Sequence, residues 1–193
     1  MSLFSNPYEK GAYGYLQARK RQQLLGCLVC ACGVALFWGI GMIVYHTPKN
    51  LFALPAIFMV LPTANFFVSW VAIASYKTEK EQRYAELLPY EEAGLLLSDL
   101  AIVNEKGKRL FLGFVIVYEG GIVAYAPVLK DNYKNEFETD VILRLKKKGL
   151  PMRIKIYDDW SAFCERISRI EPQPAGDSPR IAMARDVMIA IAL

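Results

Sequence analysis

Two long apolar runs dominate the first 76 residues. From Leu24 to Tyr45 the chain reads LLGCLVCACGVALFWGIGMIVY, 22 residues without a formal charge. At 1.5 Å per residue a helix of that length spans about 33 Å, enough to cross the hydrocarbon core of a bilayer. A second uncharged run, LFALPAIFMVLPTANFFVSWVAIASY, occupies 51–76 and is long enough to tilt or kink. The pattern predicts a two-helix transmembrane hairpin with spans at 24–45 and 51–76 and a tight external turn at 46–50. The first run exceeds the apolar region of a usual signal peptide, and a second span follows at once, which argues against cleavage.

Beyond residue 76 the pattern changes to that of a globular domain. Residues 77–98 read as helix, bent where Pro89 follows Leu88. Leu100–Val103 is a short apolar strand closed by Asn104-Glu105-Lys106-Gly107, and Leu110–Tyr118 is a second strand, rich in β-branched and aromatic residues. Its run FVIVY suggests a strand covered on both faces. Glu119-Gly120-Gly121 marks a hairpin into a third strand, Ile122–Tyr125. Asn135–Lys148 reads as helix, ended by Gly149 and Pro151, with Lys146, Lys147 and Lys148 complementing its negative C-terminal end. Met152–Tyr157 alternates as a strand. A helix from Trp160 to about Ile170 follows, with Asp158 or Asp159 as its cap. The fold class is therefore a membrane hairpin followed by a small α+β domain: helix, three-stranded antiparallel meander, helix, strand, helix. The domain occupies 77–171, and a Pro-rich linker and a C-terminal amphipathic helix occupy 172–193.

Charge adds orientation. The 193 residues carry a formal net charge of +4, with 54% hydrophobic and 22% charged residues. Residues 1–23 hold +3, the turn holds Lys49, and 77–193 balance at zero. Arg19, Lys20 and Arg21 precede the first span and Lys77, Lys80 and Arg83 follow the second, so the positive-inside bias places both termini in the cytoplasm. The expected localisation is the cell membrane, and the lipid bilayer is the first partner. A domain without positive surplus is not expected to bind nucleic acid. In the N-terminal segment 1–23, Asn6-Pro7-Tyr8-Glu9 reads as a helix start, and Tyr8, Tyr13 and Tyr15 suit a position along the headgroups.

Candidate sites are few. Cys27, Ala31, Ala35 and Gly39 form a stripe of small side chains in the first span, and Ala56, Ala64 and Ala72 a sparser one in the second; such stripes let helices approach closely. Pro62 frees a carbonyl one turn back in the second span. In the terminal helix Ile181, Ala184, Val187, Met188 and Ile191 share one apolar face that can pack on the domain core, the bilayer surface or a second protein, and the reach of the linker favours an external partner or a second copy of the chain. Asp158-Asp159 lies at a strand end, Glu136 and Asp140 share a helical face, and Glu119 sits in a hairpin turn, but each has an ordinary role as cap or solvated surface. Cys164 has no histidine to activate it, and His46 is remote from the cysteines, so neither a nucleophile nor a zinc site is indicated. No cofactor or metal is expected.

In its order of elements, residues 79–157 resemble the core of restriction-endonuclease-like nucleases, including the nuclease-related domains of some bacterial membrane proteins. That resemblance implies an acidic residue on the second strand and an acidic-x-lysine pair on the third. The corresponding stretches, LFLGFVIVY and IVAYAP, carry no carboxylate before Glu119, so a Mg²⁺ ion lacks ligands. The expected function is a membrane-anchored interaction or scaffold module. The alternatives are a degenerate or cryptic nuclease-like enzyme and a small accessory subunit of a larger membrane complex.

Overall fold

The computed structural model describes residues 8–46, 52–92, 94–129, 131–170 and 178–192. The expected helix start at Asn6-Pro7, most of the 46–50 turn and nearly all of the 172–179 linker fall outside them. The chain divides into two compact units, one built on Leu16–Lys77 and the other on Tyr8–Tyr15 together with Thr78–Leu193.

The first unit is a pair of helices, α1 (Tyr15–Tyr45) and α2 (Ala53–Ala74), both long and apolar enough to cross a membrane and both largely unburied. Helix α1 starts nine residues before the apolar run. The less exposed positions recur three or four residues apart: Gly26, Cys30, Gly33, Phe37 and Gly41 on α1, and Ala56, Met59, Thr63, Phe66, Trp70 and Ile73 on α2. A Cβ at Gly26 would lie 2.9 Å from the Phe66 ring, and one at Gly33 would lie 2.7 Å from Met59 Sδ. The large α2 side chains therefore seat in holes that glycine leaves. The stripe of small side chains singled out in the sequence lies largely apart from these positions. Ala31 and Ala35 are exposed, Cys27 is only half-buried, and nothing lies within 4 Å of a Cβ at Gly39. On α2, Ala56 is buried in the contact, Ala64 is exposed and Ala72 is half-buried. A strict four-residue repeat drifts by about 40° per step around a helix, so it leaves the contact face within two turns. Pro62 stays inside α2, and Thr63 Oγ1 donates to the Met59 carbonyl at 2.7 Å.

The second unit is an α+β domain built on a four-stranded mixed sheet in the order β1 (Leu95–Val103), β2 (Arg109–Tyr118), β3 (Gly121–Tyr125), β4 (Ile154–Tyr157). The first three strands form the expected antiparallel meander, and β4 joins parallel to β3 through helix α4 (Asp131–Lys147). The expected helix over 77–98 is shorter. It comprises α3 (Glu81–Leu87) and a 3₁₀ turn over Leu88–Glu92, after which β1 begins five residues earlier than the apolar run suggested. Pro89 lacks the amide that would continue the helix, and the polar pair Ser98-Asp99 hides the first half of the strand. Helix α5 (Trp160–Ser168) is capped as expected, Asp159 Oδ2 accepting from the Ala162 amide at 2.8 Å.

The FVIVY run is covered on both faces. Val115 and Val117 point to a core shared with α4 and the terminal helix α6 (Pro179–Ile191); Phe114 and Ile116 point to a second core with Leu87, Phe163 and Ile167. Both sheet edges are shielded. On β1 the Ser98 amide donates to the Gly11 carbonyl at 2.7 Å and Ile102 bridges to Ala192; on β4 the Ile156 amide donates to Glu138 Oε1 at 2.8 Å. Such capping blocks edge-to-edge pairing with another chain.

The face of α6 expected to meet a partner is core instead. Ile181, Ala184, Val187 and Met188 are buried against the sheet and α4, and Ile191 packs partly buried beside them. A helix this short gains its order from what it packs on, and here that surface is its own domain. Met188→Ala should therefore lower the stability of the full chain by about 2–4 kcal/mol, whereas exposed Met183→Ala should change it by no more than about 0.5 kcal/mol. Chemical denaturation in detergent micelles, followed by Trp160 fluorescence, measures both.

Candidate functional site

The densest group of polar and aromatic side chains lies where residues 8–15 and 78–84 meet the sheet. Two glycines with positive φ, Gly11 (91°) and Gly14 (83°), turn the N-terminal segment so that it runs beside β1. Tyr13 then stacks on Tyr84 with ring centroids 4.5 Å apart, and its hydroxyl donates to the Glu79 carbonyl at 2.7 Å. The Asp99 carboxylate, buried on β1, accepts at Oδ2 from the Gly14 amide (3.1 Å) and from Thr78 Oγ1 (3.0 Å). Residues 8–15 are therefore part of the α+β unit. Glu9 pairs with Arg185 at 3.5 Å, and Lys10 Nζ donates to the Ala192 carbonyl, which extends the attachment to α6.

Next to this joint, Arg83 bonds to Glu79 (2.8 Å) and to the Tyr125 hydroxyl (3.0 Å). Its guanidinium carbon lies 4.9 Å from the centre of a Trp160 ring and 5.6 Å from that of Tyr125. The side chain is 34% exposed, and Trp160 Nε1 reaches out to Glu86. Glu79 has room because Gly113 lies beneath it: a Cβ there would stand 2.8 Å from Glu79 Cγ. The half-exposed guanidinium thus lies over an indole and is fixed in place by a carboxylate and a phenol.

The titratable members of the group are shifted mainly by burial and by one another. Burial lowers the guanidinium pKa of Arg83, but the hydrogen bond it donates to Glu79 and the contact with Tyr125 outweigh it and raise the net value. Burial raises the phenols of Tyr13, Tyr84 and Tyr125, with the Arg83 charge opposing the shift at Tyr125. Burial likewise raises the Cys164 thiol, and Glu86 adds to it. Near neutral pH these groups are a fixed cation, neutral phenols and an un-ionised thiol.

The carboxylates singled out in the sequence are engaged elsewhere and are not brought together. Glu136 sits between Lys106 (3.1 Å) and Lys108 (2.8 Å), which hold its pKa below the usual carboxylate value, along an open groove of about 470 Å³. Asp140 pairs with Arg144 at 2.8 Å, Asp159 caps α5, and Glu119 accepts from Ser178 Oγ and faces Arg180. Among the described residues, no group of three or more His, Cys, Asp or Glu is placed to hold a metal ion. The order of helix, three strands, helix and strand is present, yet neither β2 nor β3 carries a carboxylate. The Arg83 cluster escaped the sequence reading because its members are spread over 147 positions, from Tyr13 to Trp160. The one local cue was the polar Ser98-Asp99 pair inside an apolar stretch. No family model, curated protein or solved structure matches the chain.

The raised phenols give a pH dependence whose sign is fixed. A tyrosine whose folded pKa lies above its unfolded value contributes stability that is complete below about pH 10 and is lost as pH rises through the folded pKa. Stability of the α+β unit should thus hold to about pH 9 and fall above pH 10. Tyr125→Phe should make that alkaline fall shallower while lowering stability at pH 7 through loss of the Arg83 hydrogen bond. Denaturation midpoints measured from pH 7 to 11 decide it; an alkaline fall as steep in Tyr125→Phe as in the native chain would contradict the assignment.

Proposed function

We propose that this chain is a membrane-anchored interaction module. In this reading α1 and α2 cross the cell membrane as a hairpin, both termini lie in the cytoplasm, and the α+β unit presents the Arg83–Trp160 surface to a protein partner. One observation carries the anchoring: the segment before α1 and the chain after α2 fold into a single compact unit. This supports placing both ends of the helix pair on one side of the bilayer. The basic residues Arg19, Lys20, Arg21, Lys77 and Lys80 beside those ends favour the cytoplasmic side.

Recruitment rather than chemistry is supported by the state of the polar groups. Of the carboxylates considered as ligands, Glu136, Asp140 and Asp159 are held by lysine, arginine or a helix cap. What reaches the surface is an Arg and a Trp already locked in place, residue types that dominate binding energy at protein interfaces. The capped sheet edges turn recruitment away from strand addition and toward side-chain contact.

A reporter inserted at Lys49 and another after Leu193 test the arrangement. They should report opposite sides, with Leu193 in the cytoplasm; a signal from the same side, or an external C-terminus, would overturn the hairpin. For the surface, photo-crosslinking from Glu86 in native membranes should yield a discrete protein adduct. Arg83→Ala should reduce it at least about tenfold, the usual scale for loss of an interface anchor, while Leu143→Ala leaves it unchanged. An equal adduct from Arg83→Ala would count against this surface.

A further inference from the structure

The two stretches of chain that lead into and out of the apolar helices end on one atom. Gly14, just before α1, and Thr78, just after α2, both donate to Asp99 Oδ2, at 3.1 and 3.0 Å. At this level the donors are at most about 6 Å apart, and a displacement of about 1 Å breaks a bond. A second tie, the Tyr13 hydroxyl to the Glu79 carbonyl, repeats the link one residue away on each stem. Asp99 belongs to β1 and holds φ at +55°, between the paired Ser98↔Phe114 and Leu100↔Leu112. A non-glycine residue in the left-handed region inside a strand is held there by its surroundings, and aspartate is one of the few residue types that tolerate it. The neighbouring Ser98 amide donates to Gly11, so the same few residues set the edge of the sheet as well.

We propose that Asp99 is a latch through which the spacing of the two stems controls the conformation of β1. With both donors seated, the carboxylate holds the strand in its left-handed kink and keeps residues 8–15 docked. With the stems drawn apart, one donor leaves, the backbone of Asp99 relaxes toward the extended region, and the Gly11–Ser98 cap on the edge loosens. The strand has two states, and the stems bias which one is occupied. The membrane hairpin proposed above enters only as the source of stem movement, since bilayer thickness alters helix tilt.

Hydrogen exchange of the full chain in lipid nanodiscs of short and long acyl chains tests both parts. In the native chain the Gly14 and Ser98 amides should exchange at rates differing by about tenfold between the two thicknesses, while Val115 and Val123 stay protected in both. Thr78→Val removes one donor without touching Asp99 or its φ. It should speed exchange at Gly14 and Ser98 about tenfold and abolish their response to thickness. Asp99→Asn keeps an oxygen acceptor and tolerates positive φ, so it should retain the response. Unchanged exchange in Thr78→Val overturns the latch, and native amides that ignore thickness overturn the coupling. The Thr78→Val comparison repeated in detergent micelles decides the latch even where the reporters at Lys49 and Leu193 reject the hairpin.

Discussion

A chain that sends two helices away from a domain and brings them back must close the path where it leaves and where it returns. Here that closure falls on the buried carboxylate of Asp99, which accepts from Gly14 on one stem and Thr78 on the other. The positions of the neighbouring groups follow from it. Tyr13 is carried onto Tyr84, Thr78 and Glu79 are fixed beside β1, and Glu79 is set where it can hold Arg83 over Trp160. Burying a carboxylate is costly unless it is bonded, so the donors from the stems and the acceptor in the strand hold each other in place.

The two faces of the sheet divide the work. One face, with α4 and α6, is an aliphatic core in which Leu112, Val115, Phe137, Leu145 and Met188 are almost entirely buried. The other is aromatic, and it opens at its margin into Arg83 and Trp160. Aliphatic packing supplies stability without orientation. The aromatic margin supplies rigid rings and a fixed charge, the features on which the proposed interaction surface rests.

Much of this fold was legible from local signals. The uncharged runs gave the apolar helices, FVIVY gave a strand covered on both sides, Gly120-Gly121 gave the hairpin, and Asp159 gave the cap of α5. Failures came where the deciding partner is distant. Leu95–Asp99 did not read as a strand because Asp99 breaks the apolar pattern to meet Gly14, 85 positions away. Tyr8, Tyr13 and Tyr15 suited a membrane interface equally well, and only the stacking on Tyr84 shows that Tyr13 belongs to the domain. The face of α6 looked unpartnered because its partners, Ile102 and Leu112 among them, lie some 70 to 90 positions earlier in the chain. In α1 the small residues Ala31 and Ala35 drew attention away from Gly26 and Gly33, whose importance depends on Phe66 and Met59.

Residues 8–15 are docked on the α+β unit, where Asp99 joins them to Thr78. The most direct measurement is the distance distribution between nitroxide labels at Glu9→Cys and Arg185→Cys, made by pulsed electron resonance on the full chain in a bilayer, in a background where the four native cysteines are serine. The side chains of these two residues lie 3.5 Å apart in the native chain. The account predicts one short, narrow distance. A broad distribution reaching to long distances would show that the N-terminal segment is not seated on the domain, and the closure at Asp99 would fall with it.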